Sequence, residues 1–208
     1  MKTDLEALDR IVHLPCWSGR VDPEPLAGGI TNKNYLVADR GRKFVVRLGV
    51  DIPVHGVMRF NELAASRAAF EAGISPEVVY AQPGALVLRF IEGRALTPEL
   101  VRDPKLLPAT VDLIKRCHDE IPKHLSGPVL MFWVFHIIRG YAAELRARAS
   151  RHAGLLARLL ENAAVLEREV GPVSIVFGHN DLLAGNFIDD GKRLWLIDWD
   201  YAGFNSPL

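Results

Sequence analysis

The chain has 208 residues, of which 49% are hydrophobic, and its formal net charge is zero. This length fits one large or two small globular units, and the neutral charge balance gives no electrostatic signal for nucleic-acid binding. The longest apolar run, Val129 to Ile138, contains His136 and is too short to cross a bilayer. We therefore expect no membrane span and no nucleic-acid partner.

The N-terminal stretch alternates charged and apolar residues, which predicts an amphipathic helix and lacks the apolar core of a secretory signal peptide. Its apolar stripe contains Leu5, Leu8, Ile11 and Val12. The two cysteines, Cys16 and Cys117, lack metal-ligand spacing. We predict that both are buried thiols in a reducing compartment, and we therefore expect a cytoplasmic protein.

Residues 26–49 predict two strands joined by a turn, and the second strand alternates and contains Arg47. Gly28 and Gly29 precede the first strand and let backbone N–H groups approach an anion closely, although a glycine pair alone usually marks a simple turn. Arg47 lies opposite the apolar face of its strand. It therefore either points into a cleft, where it would bind phosphates, or carries a solvated charge.

A helix is predicted from Gly56 to Ala72, with Gly73 as the residue that ends it. Its apolar surface is assigned to five residues: Met58, Leu63, Ala64, Ala68 and Phe70. Glu62 lies on the same helix. It is either an ion-pair partner of Arg47 or an ordinary exposed carboxylate.

A second hairpin around Pro83-Gly84 leads into the sequence FIEGR, residues 90–94, which we predict to be the hinge between two lobes. Beyond Thr97 the chain becomes helical, with helical spacing over residues 106–118, 132–150 and 153–170. Three aromatic residues are predicted to lie in the core of this part: Trp133, Phe135 and Tyr141. The expected units are a small lobe, residues 1–91, and a helical large lobe, residues 92–208.

The strongest functional signal lies in residues 177–203, where His179, Asp181, Asn186 and Asp198 have the spacing H-x-D-x4-N-x11-D. This is the arrangement of a kinase catalytic loop followed by a metal-binding aspartate. Phosphoryl transfer needs positioning and charge neutralisation more than covalent chemistry. Asp181 can therefore orient an attacking hydroxyl and accept its proton, and the oxygens of Asn186 and Asp198 can hold Mg²⁺.

Asn186 and Asp198 are predicted to lie side by side because residues 187–197 form a hairpin. Asp189 and Asp190 are expected only to shape its turn. A lone H-x-D pair would be incidental more often than catalytic. Four matched positions joined by a hairpin indicate a shared metal site.

Together these segments resemble the choline/ethanolamine kinase and aminoglycoside phosphotransferase superfamily, which shares the protein-kinase-like fold. The resemblance is carried by GGITN, VVRLG, IEG, HNDLLAGN and IDWDYAG, runs from about Leu26 to the last residue, and leans toward the choline kinase branch. It implies an α+β, two-lobe fold with a small antiparallel sheet and a helical large lobe. It also implies an enzyme that uses ATP and Mg²⁺ to phosphorylate a small-molecule alcohol.

The resemblance further implies roles in nucleotide binding. A loop that covers the phosphates of ATP would consist of Gly28, Gly29, Ile30, Thr31 and Asn32. Arg47 would contact these phosphates, and Glu62 would hold Arg47 in place. The backbones of Arg89 and Ile91 would contact the adenine.

In the catalytic segment, the resemblance implies that Asp181 is the base and that Asn186 and Asp198 bind Mg²⁺. His179 would support the catalytic loop. Asp200 lies where choline kinases often carry another acid, which implies a secondary metal or substrate role.

The chain lacks the G-x-G-x-x-G, V-A-I-K and D-F-G motifs of protein kinases, which fits the small-molecule branch, where an arginine such as Arg47 replaces the lysine. It also ends soon after D-W-D-Y-A-G, whereas family members continue through helices that supply much of the aromatic pocket for a quaternary ammonium. Trp199 and Tyr201 lie near this pocket but cannot form a cage alone. For a chain that ends at Leu208, we expect exposed apolar surface on the large lobe and self-association through it.

The expected acceptor is choline or ethanolamine. An aminoglycoside or another sugar hydroxyl is the alternative acceptor. A non-catalytic nucleotide-binding protein with a kinase-like fold is the alternative of a different class. The intact set of catalytic positions favours an enzyme.

Overall fold

The computed structural model of the chain describes residues 2–26 and 32–207, with side chains from residue 5 onward. The loop residues Gly28, Gly29, Ile30 and Thr31 lie outside the described residues. None of the described helices is long and apolar enough to cross a membrane.

The N-terminal part contains five antiparallel strands: β1 Glu24–Leu26, β2 Lys33–Asp39, β3 Arg42–Leu48, β4 Val78–Gln82 and β5 Ala85–Arg89. They form one sheet in the order β1-β2-β3-β5-β4. Arg40 and Gly41 join β2 to β3, and both have positive φ, as a two-residue hairpin turn requires. The predicted strand pairs are therefore confirmed.

Helix α1 (Lys2–Val12) packs on this sheet, where Ile11 is fully buried in a cluster with Val37 and Phe44. Only part of the predicted stripe is buried, because Leu5 and Val12 are exposed. The small-lobe core thus consists of α1 and the inner face of the sheet.

Helix α2 (Arg59–Glu71) follows β3 in the sequence. Gly73 lies just beyond its end with a φ of +68°, so the predicted helix stop is confirmed. The predicted apolar face is wrong in part: Phe70 is exposed, whereas Ala65 and Ala69 are fully buried.

The packing of α2 places it with the C-terminal part of the molecule. Its buried alanines lie in the same core cluster as Phe177, Leu196 and Trp199. The buried side chain of Asn61 strengthens this attachment, since its Nδ2 donates to the carbonyl of Ala202 at 2.8 Å and its Oδ1 accepts from the Leu130 N–H at 2.8 Å. α2 therefore packs on the core of the C-terminal part, and it also contacts β4 of the sheet. The division of the chain after residue 91 stays a prediction.

The remaining helices are α3 Pro98–Val101, α4 Leu107–Glu120, α5 Val134–Ala147 and α6 Leu156–Val170. The last three confirm the predicted helical stretches: α5 and α6 are shorter than predicted, and α4 extends two residues further. Phe135 is buried and Trp133 is partly buried, but Tyr141 is exposed, so its assignment to the core is wrong. Cys117 is buried and Cys16 is partly buried, and both are free thiols.

Five short strands carry the catalytic segment: β6 Arg94–Ala95, β7 Val176–Gly178, β8 Phe187–Asp189, β9 Leu194–Leu196 and β10 Gly203–Asn205. They form a β6-β8-β9 sheet and a β7-β10 pair. The predicted hairpin is β8-β9, with Phe187 opposite Leu196. Asp189 and Asp190 accept hydrogen bonds from backbone N–H groups of the turn, as expected of turn residues.

Candidate active site

The loop between β7 and β8 is organised by His179, whose ring is almost completely buried. Its Nδ1 accepts a hydrogen bond from the Asp181 N–H at 3.2 Å, so Nε2 carries the proton and donates to the carbonyl of Ile197 at 2.8 Å. The ring also lies against the indole of Trp199, with centroids 4.8 Å apart. His179 thus joins the loop that holds Asp181 to the strand that leads to Asp198.

The charge state of His179 follows from its surroundings. Burial lowers its pKa, and this effect outweighs the opposing influence of the Ile197 carbonyl and of the carboxylates of Asp198 and Asp181. The neutral ring fits the two hydrogen bonds, because a protonated ring has no acceptor nitrogen. His179 is a positioning residue in this geometry.

Asp181 lies at the mouth of the loop and is partly buried. Burial raises the pKa of its carboxyl group, helped by the negative charges of Asp198 and Asp200 and opposed by His179 and a hydrogen bond from Asn186. A carboxylate with a raised pKa accepts a proton more readily than an ordinary aspartate. The pKa of Asp181 is thus shifted in the direction that favours proton acceptance, and its role as a base stays a prediction.

Asn186 and Asp198 occupy the two ends of the β8-β9 hairpin. The N–H of Ile197 donates to the carbonyl of Asn186 at 3.0 Å, which holds the two ends together. The side-chain Nδ2 of Asn186 donates to the carbonyl of Asp181 at 2.8 Å. The predicted adjacency of Asn186 and Asp198 is confirmed, and Asp181 is tied to the same point.

Asp198 has a φ of +71°, a left-handed conformation that is uncommon for a residue with a side chain. Such backbone strain is concentrated at functional sites. One carboxylate oxygen accepts a hydrogen bond from Arg47 at 2.6 Å. Within the described residues, its second oxygen accepts none.

The amide oxygen of Asn186 and the carboxylate of Asp198 fit Mg²⁺ by chemistry, since this ion prefers hard oxygen ligands. No cluster of three or more His, Cys, Asp or Glu side chains in the described ranges is placed to hold a metal. Mg²⁺ is often bound by one or two carboxylates together with water and substrate phosphates. The donor set at the hairpin fits that mode of binding.

Arg47 projects from β3 into an ionic cluster and is only 7% exposed, so the alternative of a solvated charge is wrong. Its Nε lies 2.9 Å from Glu62, a charge contact without a directed hydrogen bond. Its Nη2 lies 2.6 Å from Asp198 and 3.1 Å from Asp200. Burial opposes the charge of Arg47, but the three carboxylates outweigh this effect and raise its pKa.

Glu62 and Asp200 are both buried inside this cluster. Each also contacts Arg59, whose Nη1 lies 2.6 Å from Glu62 and 3.1 Å from Asp200. Asn32 joins them, since its Nδ2 donates to Asp200 at 3.0 Å and its Oδ1 accepts from Arg59 at 2.8 Å. The expected pair of Arg47 and Glu62 is present, and Asp200 faces arginines and an amide.

A cavity of about 470 Å³ separates the sheet from the hairpin. The side chains of Val45, Leu88, Ile188 and Ile197 give it apolar walls, and Arg47, Asn186 and Asp198 lie at its polar end. The hinge residues Arg89, Phe90 and Ile91 also line it. A pocket with apolar walls and one polar end suits a nucleobase and its phosphates.

Arg89 and Ile91 both line the cavity, as the predicted contact with adenine requires. The backbone N–H of Arg89, however, is already hydrogen-bonded within the protein. That group donates to the carbonyl of Glu77 at 2.9 Å. The Arg89 side chain pairs with the carboxylate of Glu77 at 2.9 Å and stacks over the ring of Phe44 at 4.9 Å. Any contact from the Arg89 backbone to a base must therefore come from its carbonyl oxygen.

The two aromatic residues beside the acidic segment have different environments. Trp199 is 2% exposed and donates from Nε1 to the Ser75 hydroxyl at 3.0 Å, so it is a core residue and cannot face a cationic acceptor. Tyr201 is partly exposed and lies edge-on to Phe132 at 6.4 Å. Burial raises the pKa of Tyr201, with further contributions from Tyr141, Asp200, Asp181 and Asp198.

Arg59 is the site residue that the sequence analysis missed. The available signal is its position three residues before Glu62 on one helix, which places both side chains on the same face. Gly49 is a second omission. A Cβ on this residue would lie 2.2 Å from Asn32 Oδ1, so only glycine leaves room for the Asn32 side chain.

Comparison with known proteins identifies relatives over most of the chain. A sequence model of the family described as choline/ethanolamine kinase matches residues 24–207. The protein LicA of Haemophilus influenzae is 27% identical over 186 residues, which cover 87% of this chain and 54% of LicA. This chain therefore spans about half the length of that curated relative.

The solved structures agree with this result. A choline/ethanolamine kinase family protein from Mesorhizobium loti aligns with a TM-score of 0.69 and 26% identity, covering 100% of this chain and 67% of its own. An aminoglycoside phosphotransferase in complex with AMP-PNP and hygromycin B aligns with a TM-score of 0.68 and 17% identity, covering 97% of this chain and 73% of its own. The second likeness concerns the fold alone. Together they confirm the predicted α+β, two-lobe kinase-like fold.

Proposed function

The chain belongs to the choline/ethanolamine kinase family, and from this premise we propose that it transfers the γ-phosphate of ATP to the hydroxyl of choline or ethanolamine. One observation carries the proposal. Arg47, Asn186 and Asp198 line the same cavity, and Asn186 is bonded to the loop residue Asp181. Binding groups for phosphate and metal thus meet a base at one end of an apolar pocket.

Asp181 acts in this proposal as the base that orients the acceptor hydroxyl and takes its proton. His179 and Asn186 fix the backbone on either side of Asp181 through hydrogen bonds of 3.2 Å and 2.8 Å. This rigidity supports the proposal, because transfer depends on holding the reacting groups in line. The raised pKa of Asp181 supports it as well.

Arg47 binds the phosphates of ATP in this proposal, while Glu62 and Asp200 hold its guanidinium in place. Arginine suits this task because its charge persists when it is buried. Asn186 and Asp198 would hold Mg²⁺, which neutralises phosphate charge during transfer. The apolar walls of the cavity would enclose the adenine, next to the hinge residues Arg89 and Ile91.

A small cationic alcohol fits the acceptor side. Burial is the main cause of the raised pKa of Tyr201, and the carboxylates of Asp181, Asp198 and Asp200 add to it, so acidic groups lie close to this ring. The partly exposed ring of Tyr201 can meet an ammonium group by a cation–π contact. Both features favour choline or ethanolamine over an uncharged sugar.

The test is an acceptor screen with the full chain and ATP labelled on the γ-phosphate. The acceptors are choline, ethanolamine, an aminoglycoside and an uncharged sugar alcohol, with and without Mg²⁺. We expect label transfer to choline or ethanolamine only when Mg²⁺ is present. The Asp181→Asn variant should lower transfer by about 10²- to 10⁴-fold, and Asp112→Asn, which alters an exposed carboxylate on α4, should leave it unchanged.

Each other outcome has a defined meaning. Transfer to the aminoglycoside alone would show that the acceptor is a sugar hydroxyl, the alternative predicted from the sequence. ATP binding without transfer to any acceptor would favour a non-catalytic nucleotide-binding protein. Absence of ATP binding by a folded chain would overturn the proposal.

A further inference from the structure

The ionic cluster behind the cavity has the geometry of a closed ring. Glu62 contacts Arg47 at 2.9 Å and Arg59 at 2.6 Å, and Asp200 contacts each arginine at 3.1 Å. Each carboxylate thus bridges the same two guanidinium groups. All four side chains are buried or nearly so, with side-chain exposures of 4% to 16%.

The charges of the ring balance. Two arginines carry two positive charges, and the two bridging carboxylates carry two negative charges. Asp198 stands outside the ring and, within the described residues, contacts only Arg47 at 2.6 Å. Arg59 supplies one of the two guanidinium groups that each bridging carboxylate contacts, and removal of one partner from a buried ion pair is strongly unfavourable.

Arg59 also connects the ring to the end of the predicted phosphate-covering loop. Its Nη1 donates to the side-chain oxygen of Asn32 at 2.8 Å, and Asn32 donates to Asp200 at 3.0 Å. A backbone anchor fixes Arg59 itself, because its Nε donates to the carbonyl of Val50 at 3.1 Å. One buried guanidinium therefore reaches the phosphate loop, both carboxylates of the ring and, through them, Arg47.

We propose that Arg59 is a positioning residue for phosphate binding: it balances Glu62 and Asp200 so that Arg47 and Asn32 are held toward the phosphates of a nucleotide. The proposal rests on the proposed ATP-dependent function. In this arrangement Arg59 acts through Arg47 and Asn32. Substitution of Arg59 should therefore weaken binding of the phosphates and leave binding of the base unchanged.

The experiment compares ATP with adenosine, which have the same base and ribose but differ in the phosphates. Isothermal titration of the full chain with ATP in the presence of Mg²⁺, and separately with adenosine, would be carried out on wild type, Arg59→Met and Arg59→Lys. For Arg59→Met we expect ATP affinity to fall about 10- to 100-fold, the range for loss of a charged hydrogen-bonding group. Adenosine affinity should change by less than about twofold, because the base pocket is intact.

Arg59→Lys is the conservative variant. All three polar contacts to Asn32, Glu62 and Asp200 converge on one nitrogen of Arg59, and a lysine ammonium carries three donors. We therefore expect Arg59→Lys to lose clearly less ATP affinity than Arg59→Met, about two- to fivefold, because only the contact of Nε with Val50 is lost. Arg67→Met removes an exposed arginine from the same helix and should change neither affinity.

Several results would overturn the proposal. Equal ATP affinity in wild type and Arg59→Met, or equal loss of ATP and adenosine affinity in a folded variant, would assign Arg59 a purely structural role. If Arg59→Met does not fold, the ratio of ATP affinity to adenosine affinity in Arg59→Lys tests the proposal instead. Because lysine loses the contact with Val50, we expect this ratio to fall below about half of its wild-type value. A wild-type chain that binds neither ligand would instead refute the proposed function.

Discussion

The side-chain amide of Asn186 donates a hydrogen bond of 2.8 Å to the backbone carbonyl of Asp181. This bond uses the nitrogen of the amide and not its oxygen. One side chain therefore has two tasks: its nitrogen holds the loop of the proposed base, and its oxygen is available to a metal. The two tasks can be separated by substitution.

Asn186→Asp keeps a hard oxygen ligand but removes the N–H donor and turns an oxygen toward the Asp181 carbonyl. We expect kcat to fall about 10- to 100-fold, because a partly buried acceptor that holds the loop of Asp181 loses its partner. The Mg²⁺ concentration needed for half-maximal activity should rise much less. Steady-state kinetics over a Mg²⁺ series would check this, and a variant with normal kcat would show that the bond to Asp181 is unimportant.

Asp181→Asn should lower the rate of phosphoryl transfer by about 10²- to 10⁴-fold, the range for loss of a general acid or base. ATP affinity should be retained, since the groups assigned to phosphate and metal are unchanged. Single-turnover transfer and isothermal titration measure the two quantities. Transfer at the wild-type rate would exclude Asp181 as the base.

Asp198→Ala should weaken binding of Mg²⁺ together with ATP, because the carboxylate proposed to hold the ion is lost. The change also relieves Arg47 of one of its three carboxylates, so binding of ATP without Mg²⁺ should weaken less. Titrations with Mg²⁺ and with EDTA separate these effects. The same Mg²⁺ dependence in variant and wild type would remove Asp198 from the metal site.

His179 predicts a dependence of stability on acid pH. Burial lowers its pKa in the folded state, opposed by the Ile197 carbonyl, Asp198 and Asp181. The unfolded chain then binds more protons below about pH 6.5, the ordinary histidine value, so the free energy of unfolding must fall as pH drops below that value. The loss is at most about 1.4 kcal/mol per pH unit for one histidine.

His179→Gln removes this titration while its amide offers one donor and one acceptor. Urea unfolding at pH 7.5 and pH 5.5 should therefore show a smaller acid-dependent loss of stability in the variant than in wild type. Burial also lowers the pKa of His118, so part of the dependence remains in both proteins. An unchanged difference between the two pH values would mean that His179 does not titrate on unfolding.

Gly49→Ala should reduce ATP affinity without altering any charge. The new Cβ would lie 2.2 Å from Asn32 Oδ1 and 3.3 Å from Arg59 Nη1, so the Asn32 side chain must move. Gly140→Ala on α5 meets no atom within 4 Å and should stabilise its helix by about 1 kcal/mol. Unchanged ATP affinity in Gly49→Ala would show that the position of Asn32 is unimportant for binding.

Local pattern was sufficient to predict the hairpin, and with it the adjacency of Asn186 and Asp198. A turn of known type between two short β-rich runs leaves little choice of register. The end of α2 was predictable for a similar reason, because Gly73 permits the left-handed conformation that stops a helix. Both features depend on residues close together in the sequence.

The ring around Arg59 was not predictable in this way, because its members come from β3, α2 and the segment after β9. The face of α2 was also difficult to assign. Its buried surface combines alanines with Asn61, Glu62 and Ser66, whereas Phe60 and Phe70 are exposed. Hydrophobicity alone therefore indicates the wrong side of α2 as the buried one. Trp199 is a second example, because its position beside Asp198 in the sequence does not reveal that its ring points into the core.

The attachment of α2 gives the ionic ring a second effect. Asn61 and the buried alanines fix α2 to the body that carries Asp181 and Asp198. Arg47 lies on the sheet, whereas Arg59 and Glu62 lie on α2, so the contact between Arg47 and Glu62 joins the sheet to that body. The buried charges that orient Arg47 therefore also hold the sheet against α2.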